Sequence, residues 1–248
     1  MIARLGRLAG ALLCLLLPAA AAASDPCRAL RFEGEGFAVC EVPAGADLRL
    51  FHSGADGALL GGFGAVDALL AREGKRLAFA TNGGMYHPDR RPVGLYVEDG
   101  RKLAPLVEGP GPGNFGLEPN GVFCVGEAGF SIRTTPEHAR EAPPCRHATQ
   151  SGPMLVIDGA IHPRFIEGSD SRFVRGGVGV SADGGTAWLA VSDGPVSFHR
   201  FARLFSGALG ARDALYLDGK VSRLHAPALG RSDFGWPMGP ILGLAVPR

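Results

Sequence analysis

The sequence has almost no excess charge of either sign: Lys and Arg number 25 against 24 Asp and Glu, a net charge of +1. It also has no run or stripe of basic residues, so the electrostatic footprint of a nucleic-acid binder is missing, and a neutral or small anionic ligand fits better. No stretch stays apolar and uncharged for the roughly 20 residues that cross a bilayer, which argues against a transmembrane segment. The histidines, among them His52, His87, His162, His199 and His225, show neither HxH nor HExxH spacing, and no cysteine pair is spaced as CxxC. The usual signatures of a zinc centre are therefore absent. Gln150-Ser151-Gly152-Pro153 lacks the GxSxG elbow of a serine hydrolase. There is no internal repeat.

The chain starts with the basic residues Arg4 and Arg7, followed by an apolar stretch from Leu8 to Leu17 and an alanine run ending at Ala23. That order reads as a secretory signal peptide over residues 1–23, cleaved before Ser24. Cys14 follows Leu13 rather than a small residue, which argues against lipid attachment. The expected mature chain, residues 24–248, is long enough for one sizeable domain with its own core. The expected address is exported, either periplasmic or secreted.

Without Cys14, an even set of Cys27, Cys40, Cys124 and Cys145 is left for an oxidising compartment. Each pair is close in sequence and far from the other. Cys27 to Cys40 and Cys124 to Cys145 is therefore the favoured connectivity of the three possible.

Gly at 38 and Pro at 19 punctuate many short apolar runs, as in a strand-rich protein with tight turns. Strands are expected at Leu48–His52, Leu77–Thr81, Val93–Val97, Gly121–Val125, Met154–Ile157, Val178–Ser181, Trp188–Ser192 and Ala214–Leu217. Helical periodicity covers Phe63–Arg72 and Val196–Leu209. The segments Glu108–Asn120 and Thr134–Pro144, dense in Gly, Pro and Asn or interrupted by prolines, read as loops. The result is one α+β domain with a mixed, largely antiparallel β-sheet and a few packed helices.

Several strand ends carry chemistry-bearing residues. Thr81-Asn82-Gly83-Gly84-Met85-Tyr86 follows an apolar strand; its glycines allow close backbone approach to a ligand, and Asn82 can donate and accept. The alternative is a plain bulge or turn. Arg175, beside Gly176 and Gly177, can present a planar fork to phosphate or carboxylate, or be an ordinary salt-bridged arginine. The neighbouring Arg172 reads as a surface residue. Asp193 and Asp218 end two apolar strands in Asp-Gly pairs. A carboxylate there is paired, solvated in a cleft or used, and two of them make a candidate acid and base pair, with Asp-Gly turns as the competing reading.

Five segments taken in order form a series: Thr81 to Tyr86, Pro92-Val93-Gly94-Leu95, Gln150 to Leu155, Arg175 to Val180, and Ala214-Leu215-Tyr216-Leu217-Asp218-Gly219. The series resembles the phosphodiester glycosidase domain, the family of the lysosomal uncovering enzyme, and in particular its short bacterial exported branch. The resemblance runs from about Leu77 to Leu244. It departs from the family pattern at Lys220, which replaces the second glycine of Asp-Gly-Gly and so changes backbone freedom and local charge before Ser222.

The resemblance implies hydrolysis of a sugar-1-phosphodiester at the anomeric bond, on a small-molecule or glycan substrate. It casts Arg175 and the amides around Gly83 and Gly84 as phosphate contacts, Asn82 as a hydrogen-bonder, Asp218 as base or oxocarbenium stabiliser and Asp193 as second carboxylate. Tyr86, Gln150, Ser151, Gly152, Gly177, Gly219 and Ser222 complete the expected substrate contacts. No cofactor is certain; a divalent cation stays open. Two other readings are carried forward: a non-catalytic glycan-binding envelope protein, and a metal-dependent phosphodiesterase with Asp193 and Asp218 as oxygen ligands.

Overall fold

The computed structural model describes residues 25–218 and 222–248. The expected signal peptide, Gly219 and Lys220 lie outside the described residues.

The fold is α+β, and every strand pairing among the described residues is antiparallel. A seven-stranded sheet runs β1 (Cys27–Phe32), β2 (Glu35–Pro43), β13 (Thr186–Ser192), β12 (Gly176–Val180), β14 (Asp213–Asp218), β10 (Met154–Ile157) and β11 (Ala160–Ile161). A five-stranded sheet runs β16 (Arg231–Ser232), β15 (Leu224–Ala226), β4 (Lys75–Asn82), β17 (Ile241–Pro247) and β3 (Leu48–Phe51). The third has the order β6 (Arg101–Ala104), β5 (Tyr96–Glu98), β9 (His147–Ser151), β7 (Gly121–Gly126) and β8 (Gly129–Thr134).

One apolar core joins all three sheets. It packs Cys40, Val178, Leu189 and Leu215 of the first against Leu50, Phe79 and Leu242 of the second and Tyr96, Phe123 and Phe130 of the third. Strand β4 is buried from Leu77 to its end, as expected of a central strand covered on both faces. Helix α1 (Phe63–Ala71) covers it through Phe63, Val66 and Leu70, and the Asp67 carboxylate accepts from the Leu77 amide at 2.8 Å.

Between β13 and β14 the chain makes the expected strand-helix-strand unit. Helix α3 (Phe198–Arg203) starts on Ser197, whose hydroxyl accepts from the Arg200 amide, and continues as a π-helical turn over Leu204–Ala208. Its rings lie on the glycines of β12. A Cβ on Gly177 would stand 3.1 Å from Phe201, and one on Gly179 would stand 2.6 Å from Phe205. The glycine repeat of this strand makes room for the helix.

The two disulfides are Cys27–Cys40, across the paired β1 and β2, and Cys124–Cys145, tying β7 to the segment entering β9. Of the two expected loops, Glu108–Asn120 contains no helix or strand. Thr134–Pro144 requires a correction, because it contains helix α2 (Thr135–Glu141). Its prolines misled the reading: Pro136 sits in the first turn, where a missing N–H costs nothing, and Thr134 with Glu137 forms a reciprocal capping box.

Candidate active site

Asp218 ends β14 in the seven-stranded sheet, and Asn82 ends β4 in the five-stranded sheet. The Asn82 amide donates to Asp218 Oδ2 at 2.8 Å, and its own oxygen accepts from the Arg223 backbone N–H at 2.8 Å. Thr81 donates its hydroxyl to the Arg223 carbonyl, also at 2.8 Å, so the end of β4 clamps Arg223 from both sides of the residue. Ser222 donates to the Asp218 carbonyl at 2.7 Å. The chain thus leaves one sheet at Asp218 and enters the other at Arg223, with Asn82 bridging the two.

Arg223 is buried, and its Nε has no partner among the described residues. A guanidinium hydrogen bond to the Trp236 carbonyl anchors it. Burial lowers its pKa, while the neighbouring Tyr86, Asp218 and Asp233 oppose that shift. Half-buried Tyr86 faces the same space. Burial first, then the Asp218 charge, pushes its phenol pKa up, and Arg90 and Arg223 pull it down. Arg90 stands over the Tyr86 ring at 5.4 Å. Among the described residues, the crevice thus brings together Asp218, Arg223, Arg90 and Tyr86, with Asp233 also acting on Arg223.

Arg175 lies deeper, only 1% exposed. Its Nε donates to the Val196 carbonyl at 2.8 Å, one Nη to the Ser171 carbonyl at 3.0 Å and the other to the Tyr216 hydroxyl at 3.3 Å. The guanidinium carbon stacks 3.6 Å from the centre of the Phe198 ring. Tyr216 precedes Asp218 on β14, and burial pushes its phenol up to about 12. Arg175 thus reaches the crevice through Tyr216.

The other expected residues fall into two groups. Asp193 is exposed on the flank, where its carboxylate pairs with Arg231 at 3.1 Å; Arg231 also holds Asp233 at 2.9 Å. Gln150, Ser151, Gly152, Gly83 and Gly84 are buried in the surrounding scaffold, and Gly177 lies under helix α3. The Gln150 amide bonds Leu95 and Val107 backbone groups and the Thr135 hydroxyl, pinning the 108–120 loop. Ser151 donates to the Leu217 carbonyl at 3.3 Å. The Gly83 amide donates to the Pro240 carbonyl at 2.8 Å. Gly84, at φ +145°, lies so close to β9 that a Cβ would meet the Thr149 hydroxyl at 2.5 Å.

Sequence reasoning missed Arg223, Arg90 and the role of Tyr216. Arg223 directly follows Ser222, but only the long-range pairing with Thr81 and Asn82 brings it into the crevice. Among the described residues no group of three or more His, Cys, Asp or Glu side chains comes together as a metal site.

Comparison with known proteins agrees with this architecture. The family model for phosphodiester glycosidases matches residues 75–225, a span that contains Asn82, Tyr86, Arg175, Asp218 and Arg223. The chain is 32% identical over 211 residues to the uncharacterized protein YigE of Escherichia coli (strain K12), covering 85% of this chain and 82% of YigE. Among solved structures it is similar to the zebrafish N-acetylglucosamine-1-phosphodiester alpha-N-acetylglucosaminidase catalytic domain auto-inhibited by its pro-peptide. That match has a TM-score of 0.61 at 13% identity, over 88% of this chain and 81% of the other. A hypothetical protein from Synechocystis matches with a TM-score of 0.52 at 17% identity, over 89% and 61% of the respective chains. At these identities the solved structures speak for the fold.

Proposed function

Because the chain belongs to the phosphodiester glycosidase family, we propose that it hydrolyses a sugar-1-phosphodiester at the bond between the anomeric carbon and the phosphate oxygen. Water adds its hydroxyl to the sugar, and the phosphate leaves as a monoester that keeps the bridging oxygen. The observation that carries this reading is the Asp218 carboxylate, held at a strand end by the Asn82 amide with the Arg223 guanidinium close by. Two disulfides support a site of action outside the cytoplasm, and no described helix is long and apolar enough to cross a membrane.

A phosphate monoester departs as a stable anion, so the reaction needs less general acid than ordinary glycoside hydrolysis with its carboxyl pair. Stabilisation of charge becomes the larger requirement. Asp218 faces the anomeric side, as base for the attacking water or as the anion that stabilises the oxocarbenium. Arg223 and Arg90 supply positive charge for the departing phosphate. Asn82, whose amide is bonded at both ends, is a positioning residue for Asp218 and Arg223. Arg175, whose bonds run to Val196, Ser171 and Tyr216, positions Tyr216. Asp193, paired with Arg231, stands outside this set.

The test is hydrolysis of a panel of sugar-1-phosphodiesters in ¹⁸O water, read by mass spectrometry, starting from N-acetylglucosamine. Label in the released sugar is expected. Label in the phosphate would move the reaction to phosphodiesterase chemistry, and binding without turnover would make the chain a glycan-binding protein. Asp218→Asn should cost about 10²–10⁴-fold in turnover, the usual contribution of a positioned acid-base group. A loss of less than about tenfold would remove Asp218 from the reaction.

A further inference from the structure

The loop from Asp233 to Pro240 joins β16 to β17 along the edge of the Asp218 crevice. Its backbone is held at Asp233, Trp236, Met238 and Pro240. The Asp233 amide donates to the Leu224 carbonyl and its carboxylate accepts from the Leu224 amide, both at 2.9 Å. The Trp236 carbonyl accepts from Arg223. Met238 is fully buried, its amide donating to the Gly61 carbonyl at 2.8 Å, and the Pro240 carbonyl accepts from Gly83. Gly235, at φ +159°, packs so closely on Arg223 that a Cβ would stand 3.1 Å from Nη1.

On this fastened backbone Phe234 is 95% exposed and Trp236 is 83% exposed. Large aromatic rings gain from burial, and a mobile loop could fold them inward. Here the backbone is anchored while both rings stay in water, on the loop whose Trp236 carbonyl and Gly235 adjoin Arg223, an arginine whose Nε is buried and without a partner among the described residues. Rings held in this way suit a flat apolar face presented by a bound molecule. In a polar crevice the ligand with such a face is a pyranose, whose axial C–H groups line one side of the ring while its hydroxyls stay at the rim.

We propose that Phe234 and Trp236 form a stacking subsite for a sugar ring adjoining the reacting sugar phosphate, so that the substrate is an oligosaccharide or longer glycan. The proposal rests on the reading of the Asp218 crevice as a carbohydrate site. The two aromatics set the length of glycan accepted, and they act on ligand affinity rather than on the reacting bond.

The sequence holds two tryptophans, and Trp188, on β13, donates to Glu41 away from the crevice. A Trp188→Phe protein therefore reports Trp236 alone. Combined with Asp218→Asn, which is expected to slow turnover, it is titrated with mono- and tetrasaccharides of glucose, mannose and N-acetylglucosamine while Trp fluorescence is recorded. The expected result is a saturable blue shift that is stronger for tetrasaccharides, with affinity falling about threefold to tenfold on adding Phe234→Ala. Emission unmoved by every saccharide overturns the subsite, as does a shift given only by anionic lipid vesicles. This is a binding measurement, so loss of the hydrolytic reading in ¹⁸O water with the saccharide shift intact would leave the subsite standing.

Discussion

Arg175→Lys keeps the charge and removes the fork. The arginine spans three acceptors, the Val196 and Ser171 carbonyls and the Tyr216 hydroxyl, and stacks on Phe198, which in turn lies against Phe165 at 5.0 Å between ring centres. A lysine ammonium reaches one or two of those acceptors and makes a poorer stack. Each buried acceptor left bare costs about 1–3 kcal/mol, and loss of a desolvated cation–π contact costs up to about 2 kcal/mol. With one acceptor left bare and the ring stack weakened, the net loss is about 3 kcal/mol. For a chain of this size that corresponds to a fall in Tm of about 6–12 °C. The assay pairs thermal unfolding with steady-state kinetics. We expect the melting point to drop and kcat to fall severalfold through Tyr216, with KM nearly unchanged. A protein that melts like wild type yet loses about 10³-fold in kcat/KM would refute this, because Arg175 would then be touching the substrate.

Three further expectations concern other parts of the molecule. Burial holds His147 down to about 4, and its Nδ1 accepts from the Asp99 amide at 3.3 Å. The unfolded chain binds its proton first, so stability is full above the ordinary value of 6.5 and is lost as pH falls toward about 4. His147→Gln should flatten that part of a pH-stability curve. A Cβ at position 239 would lie 2.6 Å from Tyr86 and 2.7 Å from the Arg90 carbonyl. Gly239→Ala should therefore displace both and lower kcat/KM by about tenfold or more, a loss of about 1.4 kcal/mol in transition-state binding, and unaltered kinetics would count against their place in the crevice. Removing the Cys27–Cys40 bond, which closes a 13-residue separation, should cost about 2–4 kcal/mol, measured by urea unfolding of the double serine variant.

The central strands were legible because their apolar runs are bounded by glycine and aspartate, and each expected strand overlaps an observed one. The hairpin β1–β2 and the strand β17 escaped notice. β1 has only Cys27 buried among its six residues, and β17 is interrupted by Gly243, where a Cβ would meet Leu77 at 2.8 Å. Asn82 and Asp218 were legible as polar residues closing apolar strands. That Arg175 turns inward was not, because its acceptors come from segments brought together only in the fold. Arg223 was missed for the same reason: its neighbours Thr81 and Asn82 lie 142 and 141 residues away in sequence.

Among the described residues, the Asn82–Asp218 hydrogen bond crosses from one sheet to another. Each sheet taken alone holds only half of the crevice: a carboxylate without its amide, or an amide and an arginine without the carboxylate. Partial opening that leaves each sheet intact but parts them at this seam erases the site while most of the backbone ladder survives. Integrity of this crevice is then a cooperative property of sheet docking.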